Sequence, residues 1–193
     1  SNGLPTSWLS SNNFTMSTSM DTTTSNAKVE GTSCFRIKGE VGKNKYLYQE
    51  VPINTSEKAT YILSGWATAN SVPKGTNSSS FRLIARVYYT DGDYKNHNFY
   101  FNTDIKQGQW QYVSGAFNIN DGSTTKQIDR LVVFLVYNRQ GNYAYFDNIQ
   151  LTKEDVTSYT YNDEGDLTAV KDNAEQNSSF KYQDNKLTEY VDP

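Results

Sequence analysis

Residues 131–151, LVVFLVYNRQGNYAYFDNIQL, decide how the rest of the chain is read. Residues 131–137 are almost wholly apolar, rich in β-branched and aromatic side chains, and too few for a globular helix. They predict a buried strand. Residues 138–142 (NRQGN) predict a five-residue loop, with Gly141 where a positive φ is most needed. Residues 143–151 then alternate: Tyr145, Asp147, Ile149 and Leu151 on one face, Ala144, Phe146, Asn148 and Gln150 on the other. The whole stretch predicts a β-hairpin that closes a sandwich.

Working outward, the same two signals recur. Residues 81–89 (FRLIARVYY) set Phe81, Leu83, Ala85 and Val87 against Arg82, Ile84, Arg86 and Tyr88. Asp91-Gly92-Asp93 makes a turn, and residues 97–103 return as the next strand. Shorter strands are predicted at 34–37, 46–53, 61–69 and 110–119, with turn chemistry such as Pro73-Lys74-Gly75 between them. Phe99, Phe101, Phe134 and Phe146 are expected in the core. In the polar N-terminal stretch the expected anchors are Leu4, Trp8, Phe14 and Met16, with Trp8 buried at one end. Eight strands with no 3.6-residue period describe an all-β chain, a jelly-roll β-sandwich.

Composition narrows the function classes. Of 193 residues, 15 are Tyr, 9 Phe and 3 Trp, while charged residues are 20% and the net charge is -3. Nothing here draws the chain to nucleic acid, and no 18-residue apolar run supports membrane insertion. Cys34 is the single cysteine, which excludes an intramolecular disulfide and reads as a structural thiol. With one histidine, His97, read as a solvent-exposed residue at a strand start, no catalytic triad assembles. The carboxylates Glu30, Glu40, Asp91, Asp93, Asp104 and Asp121 fall in turns. A glycosidase pair across a cleft therefore has no basis, and the chain is read as not an enzyme.

Six blocks now stand in order: GTSCFRI, YLYQEV, YILSGWATAN, YYTDG, WQYV and YFDNIQL. Over roughly residues 4–153 they resemble the carbohydrate-binding-module-like (galactose-binding-like) jelly rolls. The family's usual opening, an Asn followed by a Phe-Glu pair, is missing. The resemblance implies a glycan or cell-wall polysaccharide as partner. It also implies a structural Ca²⁺ held at the Asp of the closing Asp-Asn pair, here Asp147, for which hard oxygen ligands are suited. The bland alternative is that Asp147 accepts backbone N–H bonds.

The aromatic surplus independently supports sugar binding, because the apolar C–H face of a pyranose stacks on Trp or Tyr while Arg, Asn and Gln bond its hydroxyls. The candidates are Trp66, Arg82, Arg86 and Tyr88, with Tyr48 and Gln49 beside them.

A different organisation begins near Ser158. Tyr161 and Asp163 recur 21 residues later as Tyr182 and Asp184, and Leu167 and Thr168 recur 20 later as Leu187 and Thr188. Self-similarity at this period marks a repeat array. The pattern resembles the tyrosine-aspartate (YD) repeats of bacterial Rhs-type proteins, each unit a β-hairpin. The expected division is therefore a sandwich over 1–155 and two repeats over 156–193, opening a longer array in cis. That resemblance implies a secreted or cell-surface bacterial protein. The expected role is a non-catalytic carbohydrate-binding-like module, and the alternative is a structural cap of the repeat shell without a sugar site.

Overall fold

The computed structural model describes residues 4, 6–13, 22–24, 28–53, 59–70, 80–103, 109–119, 126–138, 141–154, 158–171, 177–184 and 186–192. Every regular element among them is a β-strand. The apolar strand read first, β9 (Ile128–Asn138), is central to one antiparallel sheet. It lies between β4 (Tyr46–Val51) and β6 (Ser80–Tyr89), with β1 (Leu9–Ser10) and β7 (Tyr94–Tyr100) at the edges. The second sheet runs β2 (Thr22–Thr24), β3 (Cys34–Lys38), β10 (Tyr143–Glu154), β5 (Thr60–Ala69), β8 (Gln111–Asn118).

Register explains the core. Leu47, Leu135 and Leu83 sit side by side across β4, β9 and β6, and none is exposed. Facing them from the second sheet are Ile37, Leu63, Ala67, Ala144 and Phe146. Phe146 meets Phe81 edge-on at 5.6 Å and Phe101 at 6.1 Å. Each such side chain contributes roughly 1.5–3 kcal/mol on burial. Trp8 closes one end against Phe35, with ring centres 4.8 Å apart, and Leu4 also packs on the core. Phe14, Met16 and the Pro73 turn lie outside the described residues.

Three expectations are corrected. First, β9 and β10 are not a hairpin: β9 pairs with β4 and β6, while β10 pairs with β3 and β5 in the other sheet. β9 is apolar on both faces and takes a place between two partners, so the link after it is a corner between layers. The Tyr137 hydroxyl donates to the Gly141 carbonyl at 2.7 Å across that corner.

Second, the strict alternation of residues 143–151 fails at Asp147. The pairing of β10 with β5 shifts between Asp147 and Gln150, and Asn148 has φ 47°. This β-bulge inserts one residue, so Ile149 and Leu151 join Phe146 on the core side rather than Asp147 on the outer side. Third, His97 lies inside β7 and is not fully exposed; its ring stacks on Phe117 at 4.9 Å.

The C-terminal strands β11 (Ser158–Tyr161), β12 (Leu167–Lys171), β13 (Asn177–Gln183) and β14 (Lys186–Val191) form a four-stranded sheet in sequence order. Its two hairpins match in detail. Tyr161 pairs with Leu167 and Tyr182 with Leu187, each beside a one-residue register shift. Thr168 donates its hydroxyl to the Thr160 carbonyl at 3.0 Å, and Thr188 does the same to Lys181 at 3.1 Å.

Candidate functional site

An outward sheet face is normally polar, because only the inward half of an alternating strand needs burial. The outer face of the β1-β4-β9-β6-β7 sheet departs from this. Cross-strand register lays its side chains in rows: Tyr46, Val136, Arg82 and Tyr100; Tyr48, Phe134, Ile84 and Asn98; Glu50, Val132, Arg86 and Asn96; then Arg130, Tyr88 and Tyr94. Ile84, Val132, Phe134 and Val136 form an apolar cluster only 2–7% exposed, with Tyr46, Tyr48 and Tyr88 packed around it. Phe134 lies 5.6 Å from both Tyr46 and Tyr48.

Above this floor is a groove of about 460 Å³. Asn12, Asn13 and Asn44 form one wall, and Glu50, Arg86, Tyr88 and Arg130 line the other side. The Asn wall is tied together by Asn13, whose amide donates to the Asn44 carbonyl at 3.0 Å. Behind Asn44, Lys45 is wholly buried; its ammonium donates to the Lys38 carbonyl at 2.7 Å and pairs with Glu40 at 2.9 Å. Hydrogen bonds from Lys43 and Lys45 hold the Glu40 carboxyl down to about 2. These contacts set the turn at 39–45 and hence the position of Tyr46 at the head of β4.

The cationic side chains are stacked rather than splayed. Arg86 lies 4.3 Å from the Tyr94 ring centre and 4.8 Å from that of Phe134. Its Nε donates to the Asn96 carboxamide at 2.7 Å and its Nη1 to the Tyr88 hydroxyl at 3.1 Å. Arg130 covers Tyr88 at 4.3 Å and is paired with Asp129 and, at 3.6 Å, with Glu50. Such stacking holds a guanidinium in one orientation.

Of the residues singled out in the sequence, Tyr48, Arg82, Arg86 and Tyr88 share this face. Trp66 does not join them: it lies on the outer face of the second sheet, opposite Tyr112 at 5.2 Å. Gln49 is not in the groove either. The alternation that turns Tyr48 outward turns Gln49 to a separate 270 Å³ pocket with Trp8, Phe35 and Asp147.

Sequence reasoning missed Tyr46, Phe134, Tyr94 and Arg130. One signal pointed to Phe134: a strand with no polar alternation needs cover on both faces, and the inter-sheet core covers only one.

Asp147 is 8% exposed and acts as a clamp. Its Oδ2 accepts the backbone N–H groups of Val29 at 2.6 Å and Glu30 at 3.1 Å, and its Oδ1 that of Asn148 at 2.8 Å. This ties the closing strand to the segment before β3, the junction at which the resemblance implies calcium. Among the described residues the Asp147 carboxylate itself meets N–H donors, the Glu30 carboxylate stands nearby on the Asn148 amide at 3.0 Å, and no three acidic, His or Cys side chains gather to hold a metal. That donor set suits an amide clamp. Burial and the nearby Asp147 charge push the Cys34 thiol up to about 12, as expected of a structural cysteine.

Solved structures share this architecture at low identity. A xylan-binding CBM22-1 domain of Paenibacillus barcinonensis superposes with TM-score 0.54 at 12% identity, over 78% of this chain and 88% of that one. A xylan-binding domain from CBM 22 gives 0.56 at 12%, over 78% and 89%. A cyclase from Fischerella sp. TAU gives 0.56 at 17%, over 79% and 86%, so the fold alone does not choose a chemistry. No curated protein matches the chain significantly. A family model, described as a carbohydrate binding domain, matches residues 2–136, which include β4, β6 and nearly all of β9 and so most of the groove floor. With that match over more than half its length, the chain belongs to the carbohydrate binding domain family CBM_4_9.

Proposed function

We propose that the groove on the β4-β9-β6 face binds one glycan chain, with sugar rings stacked on Tyr48, Tyr88 and Tyr46. Arg86, Asn96 and the Asn12–Asn13–Asn44 wall bond the hydroxyls. The observation that carries this reading is the floor itself: Ile84, Val132, Phe134 and Val136 form a second apolar cluster on a face turned away from the core. A sugar presents an apolar face and a polar rim, and the floor and walls complement both. The family is one of non-catalytic carbohydrate-binding modules, so the role is binding and not turnover. The xylan-binding fold neighbours make xylan the first polymer to try.

A glycan array followed by calorimetry tests the proposal. Tyr48→Ala or Tyr88→Ala is expected to weaken binding at least about tenfold, a loss of about 1.4 kcal/mol. No binding to any polymer would leave the structural-cap reading in its place.

The C-terminal sheet supports a finer reading: the module heads a tyrosine-aspartate repeat array in a secreted or cell-surface bacterial protein. Support comes from the two hairpins, which repeat the same Tyr–Leu pairing and Thr hydroxyl bond. Two such units bury little; Tyr159, Tyr161, Leu187 and Tyr190 are more than half exposed. Adding further repeats after residue 193 is expected to protect β13 and β14 amides from exchange. Unchanged protection would count against an array, and antibody labelling of intact cells tests the location.

A further inference from the structure

We infer that the glycan taken by the groove is acidic, a uronic-acid-bearing chain whose carboxylate is received by Arg86, with Arg82 offering a second contact along the same strand. This rests on the reading of the groove as a glycan site and adds the class of sugar. Arg86 is half-buried in an aromatic setting, and among the described residues it has no carboxylate partner. A guanidinium carries five N–H donors. One goes to Asn96 and one to Tyr88, and no acceptor among the described residues meets the other three.

Arg130 differs: Glu50 and Asp129 already neutralise it. Arg82 repeats the pattern of Arg86. Its Nη1 donates to the Tyr100 hydroxyl at 2.7 Å, its buried Nε has no acceptor, and it too lacks a carboxylate partner among the described residues. The two arginines are about 13 Å apart by strand rise.

A charge placed against apolar rings without a counter-ion is costly, and a ligand that brings one recovers that cost. Among the described residues the face carries Arg82, Arg86 and Arg130 against Glu50 and the Arg130 partner Asp129, an excess of one positive charge on a chain whose net charge is -3. A planar carboxylate matches the guanidinium fork. Phosphate matches the fork as well, but a polyol phosphate has no rings to place on Tyr48 and Tyr88. The aromatic floor therefore favours a uronate, whose carboxylate extends from the stacked ring.

The test compares glucuronoxylan and polygalacturonate with their carboxyl-reduced forms, using the whole chain, by calorimetry at two salt concentrations. Each acidic polymer is expected to bind at least about tenfold tighter than its reduced form, the advantage shrinking in high salt. Arg86→Gln is expected to remove most of that advantage and Arg86→Lys to keep part of it. The polymer comparison requires no variant to fold. If reduced and acidic forms bind equally while Tyr48→Ala still abolishes binding, the acidic assignment falls and the groove reading stands. If no polymer binds, the groove reading falls and takes this one with it. Tighter binding of poly(glycerol phosphate) than of either uronate would overturn the choice of acid.

Discussion

On the outer face of the first sheet, Phe134 is 7% exposed and sits between two tyrosines. On the outer face of the second, Trp66 leans on Tyr112, which is 53% exposed and has polar Ser64 and Ser114 beside it. Both faces carry aromatics, and both come from strands of the same alternating type. The second also carries Ile62 opposite an exposed Ala116, but only the first gathers its outward aliphatic residues, Ile84, Val132 and Val136, into a buried cluster among the described residues. Aromatic content therefore does not mark a site by itself. A continuous apolar floor on an outward face does, because solvation alone would not place it there.

Several substitutions can break or sharpen that contrast. The largest effect is expected from Phe134→Ala, which removes the centre of the floor. It should cost about 3 kcal/mol, about 10 °C of Tm, and abolish glycan binding. Intact binding would mean that the floor is only a packing layer.

Trp66→Ala is the matched control on the opposite face and should leave affinity within about twofold; a larger loss would move the site. Within the core between the faces, a Cβ at Gly115 would stand 2.2 Å from the Phe99 ring. Gly115→Ala should therefore destabilise by about 2 kcal/mol in a denaturant melt, without changing the affinity of the protein that remains folded.

A pH series probes the wall of the groove. Glu40 has its folded value depressed to about 2 from 4.5, so its contribution to stability is present above 4.5 and lost as pH falls toward 2. Glu40→Gln should lower Tm near neutral pH, and its gap to the wild type should close over that acid window. A constant gap would show that the pairing with Lys43 and Lys45 does not matter. The smallest effect expected is from chelation. With three backbone N–H groups already on the carboxylate of Asp147, EDTA should move Tm by no more than about 1 °C; a drop of several degrees would place calcium there.

Much of this was legible in order along the chain. The alternation of residues 81–87 told which side chains face in, and the Asp91-Gly92-Asp93 turn joined β6 to β7. Tyr48, Arg82, Arg86 and Tyr88 could be named because parity along a strand is a local property. Asp147 shows where locality ends: one inserted residue at the bulge reversed the faces of everything after it, and no residue type announces a bulge.

By itself, then, the chain of residues determined strand identity and in-or-out parity along each uninterrupted run of a strand, both of which depend on neighbours a few residues apart. Only the tertiary structure decided which of two layers each strand joins. That choice separated β9 from β10, put Trp66 and Arg86 on opposite outer faces, and turned Phe134 from a core residue into the floor of a groove. The physical reason is that pairing between strands far apart in sequence is set by how whole faces bury each other, and no single stretch carries that information.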